Sequence, residues 1–175
     1  MPPLVALSAA IGLLGAVATW VFLSAGSILI WACFIGWGCF FHSGGTLDAL
    51  KKTVICNTVG AVFAVAAGLI ILSTPLTQTL GLPLAAALLV GIFAAILCLL
   101  AYVENLSVIP ASFYGFAATF AFLLQTPQTL AVAKLTAFNL DNALIVVPLS
   151  MAIGAGFGLL SGKLSGLLQA KPALA

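Results

Sequence analysis

Apolar positions fall into six runs along the chain, separated by short polar connectors. Four of the runs are about 20 residues long, the length at which an α-helix crosses the hydrocarbon core of a bilayer. The second and the fifth are shorter. The runs are residues 4–24, 28–41, 50–72, 84–103, 108–124 and 143–160. The pattern predicts an all-α membrane protein with six transmembrane helices in one integral membrane domain, residues 1–175.

The two short runs have an unusual composition. One reads "WACFIGWGCFFHSGG" from Trp31 and the other "PASFYGFAATFAFLL" from Pro110. Glycine is a poor helix former, and "FIGWG" holds two glycines within three residues. Irregular backbone at membrane depth is tolerated only where it is buried in protein or lines a water-filled cavity. The composition therefore predicts short, Gly/Pro-interrupted second and fifth segments beside a solute path.

The two halves of the chain resemble each other. A shift of 91 − 12 = 79 pairs identical residues through the second segment, and after a longer connector the shift becomes 143 − 49 = 94. The identical pairs are Gly12/Gly91, Ala16/Ala95, Ile30/Ile109, Ala32/Ala111, Phe34/Phe113, Gly36/Gly115, Phe41/Phe120, Ala49/Ala143, Leu50/Leu144, Gly60/Gly154, Ala61/Ala155, Phe63/Phe157 and Gly68/Gly162. Three spans per half is an odd number, so the pattern predicts two inverted three-helix repeats, about residues 4–72 and 84–166.

The lysines predict the orientation. With six spans, the N-terminus lies on the same side as Lys51, Lys52, Lys163 and Lys171, while the opposite side carries Lys134. The positive-inside rule makes the first side cytoplasmic, so both termini are expected there. If the short segments dipped into the membrane and returned, the lysines would divide without a useful bias.

Composition excludes several classes of protein. Hydrophobic residues make up 64% of the chain and charged residues 5%, with a mean hydropathy of +1.35, so lipid is the expected solvent and partner. A net charge of +2 is too small to indicate nucleic-acid binding. The four cysteines lie in apolar runs without metal-ligand spacing. No nucleophile–base pair or phosphate loop is evident, so we expect neither an enzyme nor a cofactor or metal.

Aromatic and small polar side chains in or near the short segments are the candidates for the solute path. The path residues predicted on this basis are Trp31, Cys33, Phe34, Trp37, His42, Asn57, Ser112, Phe113, Tyr114, Phe116 and Thr119. Each polar one has an alternative role. Ser and Thr hydroxyls can bond back to helix carbonyls, His42 can be a solvated anchor at the boundary, and Asn57 can join two helices.

Glycines spaced four residues apart mark the third and sixth segments. Such stripes let helix backbones approach closely, so helix packing is predicted for Gly60, Gly68, Gly154, Gly158 and Gly162. We expect the third and sixth helices to meet through these stripes. A homo-oligomer interface would show the same pattern.

"GWGCFFHSGG", "LDALKK" and "VIPASFYGFAATFAF" together resemble the YcdZ-type family of small six-span bacterial inner-membrane proteins of unknown function. The resemblance covers most of the chain and implies a bacterial inner-membrane location and a transport role without an assigned substrate. The inverted layout is also similar to that of urea channels.

These observations predict a membrane channel or facilitator for a small neutral or weakly charged solute, because no charged side chain lies deep in any span. The alternative is a non-conducting structural or regulatory subunit that docks a partner through its glycine-striped helices. Breaks in equivalent places of both halves favour the first, since a docking protein needs no matched pair.

Overall fold

The computed structural model describes residues 1–169 and consists there of helices without strands, which confirms the all-α class. The helices are α1 (Pro3–Ala25), α2 (Ile30–His42), α3 (Leu47–Ser73), α4 (Leu76–Leu80), α5 (Leu82–Leu99), α6 (Ile109–Gln125), α7 (Val132–Leu135) and α8 (Ala143–Leu168). Two short 3₁₀ turns, Leu100–Tyr102 and Glu104–Leu106, join α5 to α6. Lys171, which entered the orientation argument, lies outside the described residues.

Four helices of the described chain are long and apolar enough to cross a membrane: α1, α3, α8, and α5 with the turn that continues it to Tyr102. The two short helices have 13 residues in α2 and 17 in α6. At about 1.5 Å per residue they measure roughly 20 and 26 Å, against a hydrocarbon core of about 30 Å. The apolar helices are those of a membrane protein.

Local sequence sets the helix ends. Pro3 opens α1, where its missing N–H costs nothing, and Gly26 closes it in the left-handed conformation with φ 68°. The Thr46 hydroxyl caps α3 by accepting a hydrogen bond from the Ala49 N–H at 3.1 Å. The Asn142 side chain caps α8 through the Leu144 N–H at 2.9 Å.

The second and fifth segments are continuous α-helices, so the prediction that glycine or proline interrupts them was wrong. Pro110 stands in the first turn of α6, where proline is tolerated. Gly36 and Gly38 are helical within α2. A glycine lowers helix stability by only about 1 kcal/mol, and at Gly36 the close contact with α8 offsets this loss.

The most extensive helix contacts join each short helix to a long helix of the other half, α2 to α8 and α6 to α3. α2 and α8 run in the same direction, since the Leu29 N–H donates to the Ser150 hydroxyl and the Trp37 indole to the Ser161 hydroxyl. α3 and α8 also contact each other, while α1 packs on α8 and α5 on α3.

The glycine stripes meet different partners from those predicted. Gly60 of α3 lies against α6 and Gly154 of α8 lies against α2, so the stripes do not face each other. Gly158 packs beneath the Phe40 ring, whereas a Cβ on Gly162 would have no neighbour within 4 Å. Gly36 of α2 and Gly115 of α6 lie at the same two contacts, so a glycine from each facing helix allows the close approach there.

Candidate solute cleft between the two short helices

Two backbone-to-backbone crossings fix the short helices. At one, Gly36 of α2 lies on the backbone of Met151 in α8, and Gly154 of α8 lies on the backbone of Cys33. A Cβ atom at either glycine would overlap the carbonyl oxygen of its partner. Only glycine therefore fits at these positions, and the contact fixes the distance between α2 and α8.

The second crossing has the same construction in the other half of the chain. Gly115 of α6 lies on the backbone of Asn57 in α3, and Gly60 of α3 lies on the backbone of Ser112. The sequence shifts relate every member of the two crossings: the shift of 79 pairs Gly36 with Gly115 and Cys33 with Ser112, and the shift of 94 pairs Asn57 with Met151 and Gly60 with Gly154. Equivalent residues of the two halves thus make equivalent contacts.

An open cleft of about 570 Å³ lies between α2 and α6. Every residue that lines it belongs to one of these two helices: Trp31, Phe34, Ile35, Gly38, Cys39, His42, Tyr114, Ala117, Ala118 and Ala121. Cys39 and Ala118 are buried and form its floor, while Trp31, Phe34 and Ala121 on its rims are exposed. The cleft lies within the range of about 300–1,000 Å³ that is usual for ligand sites.

The cleft draws equivalent positions from both halves. Applying the shift of 79 to the α2 residues pairs Ile35 with Tyr114, Gly38 with Ala117, Cys39 with Ala118 and His42 with Ala121. A space lined by such pairs lies between equivalent surfaces of the two halves. The α2 wall carries large aromatic side chains, whereas the α6 wall carries mainly the small side chains of alanines.

One end of the cleft is polar. The Tyr114 hydroxyl and Nδ1 of His42 form a hydrogen bond at 3.3 Å, and their rings meet edge to face with centroids 5.8 Å apart. The hydroxyl and the neutral imidazole can each donate and accept, so the pair keeps hydrogen-bonding capacity for another molecule. No other side chain that lines the cleft carries an ionisable group besides the Cys39 thiol.

Small polar side chains lie behind the floor of the cleft, between α2 and α3. The Cys39 thiol is 3.7 Å from the Asn57 side-chain oxygen, and Thr53 donates to the Ser43 hydroxyl at 3.1 Å. The Asn57 amide nitrogen is buried and has no hydrogen-bond partner within the described chain. The same holds for the Thr119 hydroxyl. Thr53, Asn57 and Thr119 are buried in protein and do not line the cleft.

Four of the predicted path residues, Trp31, Phe34, His42 and Tyr114, line the cleft. Cys33 and Ser112 do not; both are buried where the helices cross, and they supply no polar group to the cleft. Tryptophan at either position would not fit, because the side chains are 0% and 1% exposed.

The remaining predicted aromatics face other helices. Trp37 stacks on Phe157 of α8 at 5.6 Å, and its indole N–H reaches Ser161 at 3.1 Å. Phe113 and Phe116 pack with Leu97 of α5. Trp37, Phe113 and Phe116 therefore do not line the cleft.

Sequence reasoning missed several lining residues because they are small or aliphatic: Ile35, Cys39, Ala117, Ala118 and Ala121. A signal for them existed in the repeat. Tyr114 was a predicted path residue, and the shift of 79 pairs it with Ile35. The other lining pairs follow at helical spacing along α2 and α6.

The cleft continues towards the connector before α8. A pocket of about 150 Å³ shares Trp31 and Ala121 with the cleft and adds Gln125 and Thr126. A third pocket of about 220 Å³ shares Thr126 and is lined by Gln128, Thr129, Lys134 and Asp141, among others. Lys134 and Asp141 form an ion pair at its edge. We call these three neighbouring pockets, which share lining residues, the track.

Comparison with known proteins gives a family and no activity. The family of proteins of unknown function designated DUF1097 matches residues 8–166. The chain belongs to this family. No curated protein and no solved structure matches it. The resemblance to YcdZ-type proteins stays a prediction, and DUF1097 membership leaves the activity to be argued from the cleft itself. Within residues 1–169 of this DUF1097 chain, no three His, Cys, Asp or Glu side chains are grouped to hold a metal.

Proposed function

We propose that the protein is a membrane facilitator for a small uncharged solute, which moves along the cleft between α2 and α6. The observation that carries the proposal is the cleft of about 570 Å³ lined only by these two helices, with four pairs of equivalent residues facing it. Inverted-repeat transporters place their solute site between the repeats, on short or interrupted segments of each half.

The charges along the track support an uncharged solute. No Asp, Glu, Lys or Arg of the described chain lines the cleft or the pocket beside it. The third pocket is lined by one basic and one acidic side chain, Lys134 and Asp141, which pair with each other. An ion that entered the cleft would lose its hydration without gaining a counter-charge, at a cost of several kcal/mol. A neutral molecule avoids this penalty.

We further propose that all six helices longer than ten residues cross the membrane as two inverted repeats of a single domain. The matched crossings, Gly36 on Met151 and Gly115 on Asn57, support this arrangement because a pseudo-twofold axis relates such contacts. The lysine distribution supports cytoplasmic termini. We also propose a bacterial inner membrane, which the resemblance supports, and a homo-oligomer, for which the open position at Gly162 leaves room.

The alternative of a partner-docking subunit is weakened, although a Cβ on Gly162 would have no neighbour within 4 Å and this glycine stays open to a partner. Gly60, Gly154 and Gly158 are occupied within the chain by α6 and α2, so these glycines are not available to a partner.

Purified protein in liposomes tests the proposed function. Osmotic swelling would be recorded for a panel of uncharged and charged small solutes, with protein-free liposomes as the reference. We expect faster entry of some uncharged solutes only, and Ala121→Trp, which fills the cleft, should abolish it. Ala95→Trp is the matched control, because Ala95 is exposed on α5 away from the cleft. If no solute enters these liposomes faster than it enters protein-free liposomes, the proposed facilitator function is wrong.

A further inference from the structure

We infer that the cleft binds uncharged molecules with a flat ring body and a single hydroxyl or amide end, with the polar end at the His42–Tyr114 pair. This inference deepens the proposed function and rests on it only in taking the cleft as the solute site. Three properties of the cleft carry it: the shape of its walls, the position of its polar groups and its openness.

The walls favour a flat ring. Trp31 and Phe34 present exposed aromatic surface on the α2 side, at 37% and 44% of their full exposure. Opposite them Ala117, Ala118 and Ala121 of α6 leave the space open, since none has a side-chain atom beyond Cβ. A slot with aromatic side chains on one wall and methyl groups on the other suits a planar apolar body, and aromatic pairs prefer offset or edge-to-face contacts.

The polar end fixes the orientation. His42 and Tyr114 lie at one end of the cleft, and Trp31 lies about eleven residues, roughly 16 Å, away along α2. The hydrogen bond between the pair uses one group on each side chain, which leaves a ring nitrogen of His42 and capacity on the Tyr114 oxygen. A ligand group that both donates and accepts, a hydroxyl or a primary amide, matches this pair better than a group that only accepts.

The openness of the cleft explains why the body is apolar. Most of the lining residues are exposed, among them Ile35 and Ala117, so the cleft opens along its length on the outer surface of the helices. A strongly polar solute in such a cleft would face lipid on its open side. A molecule with an apolar body leaves no polar group without a hydrogen-bond partner on the open side. Such a molecule can enter from the bilayer as well as from water.

Equilibrium binding in lipid nanodiscs tests the inference with three probes that share one ring system: 2-naphthol, naphthalene and the 2-naphthoate anion. Empty nanodiscs measure partitioning into lipid, which is subtracted. We expect saturable binding of 2-naphthol, with naphthalene and 2-naphthoate weaker by about tenfold or more, because one lacks the hydrogen bond and the other brings an unpaired charge.

Variants locate the polar end. Tyr114→Phe keeps the ring and removes the hydroxyl, and it should weaken 2-naphthol by about three- to tenfold while leaving naphthalene unchanged. Ala121→Trp should remove binding of both probes, and Ala95→Trp should preserve both. Thermal unfolding establishes that each variant is folded. Equal binding of 2-naphthol and naphthalene by the unaltered protein, or equal weakening of both by Tyr114→Phe, would overturn the inference.

The binding experiment separates this inference from the proposed function. If 2-naphthol binds as described but no solute crosses liposomes, the ligand class stands and the facilitator is wrong. If uncharged solutes cross and Ala121→Trp stops them while 2-naphthol does not bind, the facilitator stands and the ligand class is wrong.

Discussion

At the scale of single residues, four glycines decide how closely the helices approach. Gly36, Gly60, Gly115 and Gly154 each lie on the backbone of a facing helix. A backbone carbonyl cannot rotate away from an added methyl group as the end of a side chain can, so even alanine requires the helices to move apart. The position of both walls of the cleft therefore depends on these residues.

Alanine at the two crossings should destabilise the protein. Gly36→Ala and Gly115→Ala are each expected to lower the free energy of unfolding by about 1–3 kcal/mol or more, the usual cost of overpacking. Thermal unfolding in detergent measures the change. Gly38→Ala is the control two residues along α2, since its Cβ would have no neighbour within 4 Å. It should leave stability unchanged or raise it slightly, and equal loss in Gly36→Ala and Gly38→Ala would contradict the packing account.

The buried hydroxyl of Thr119 gives a second prediction. Thr119→Val keeps the shape of the side chain and removes a hydroxyl that has no hydrogen-bond partner within residues 1–169, so its stability should match or exceed that of the parent. Thr53→Val removes a hydroxyl that donates to Ser43, and it should cost about 0.5–1.5 kcal/mol. Thermal unfolding of the pair decides it. A larger loss in Thr119→Val than in Thr53→Val would mean that this hydroxyl has a partner in the folded protein.

At the scale of elements, the short helices α2 and α6 are held by the long helices of the opposite halves. α2 has only 13 residues, a length at which an isolated helix is marginally stable, so its extensive contacts with α8 stabilise it. The cleft exists because α2 and α6 each pack on a long helix and contact each other much less.

The contact between α2 and α8 can be tested at one glycine. A Cβ on Gly158 would lie 2.5 Å from the Phe40 ring, so Gly158→Leu should force Phe40 and α2 outward and lower stability or prevent folding. Gel filtration and thermal unfolding measure it. Gly162→Leu changes the same helix one turn later where space is open, and it should behave like the parent. A Gly158→Leu variant as stable as Gly162→Leu would show that this contact is absent.

The elements also show what the sequence could predict. The lengths and hydropathy of the apolar runs predicted the six longer helices, because buried and lipid-facing positions both favour apolar residues. The same uniformity hid which side of a helix faces its neighbour, so Cys33 and Ser112 were placed in the path although they lie at the crossings. Glycine in α2 was interpreted as a break, because helix propensity was weighed without the partner backbone that makes glycine favourable.

At the scale of the whole molecule, the repeat organises both the contacts and the cleft. Equivalent glycines contact equivalent partners, and equivalent positions line the space between the short helices. The proposed arrangement inserts the two halves with opposite orientation, and labelling can test this topology.

Cysteine labelling distinguishes six spans from a pair of re-entrant segments. In a Cys98→Ala background, Gln78→Cys and Phe138→Cys should react with an impermeant reagent added outside intact cells, and Ser107→Cys should not. All three positions are exposed in the structure. If α2 and α6 dipped and returned, Gln78→Cys would be protected and Ser107→Cys would react, which would contradict the inverted-repeat proposal.

The central claim is that solute moves through the cleft between α2 and α6, and reversible blocking of folded protein tests it most directly. Ala121→Cys, with Cys39 and Cys98 replaced by alanine, would be reconstituted in liposomes and its flux of an uncharged solute recorded. Modification by a benzyl methanethiosulfonate should stop the flux, and a reducing agent should restore it, while Ala95→Cys should be unaffected. Flux that continues unchanged in fully modified Ala121→Cys would contradict the claim.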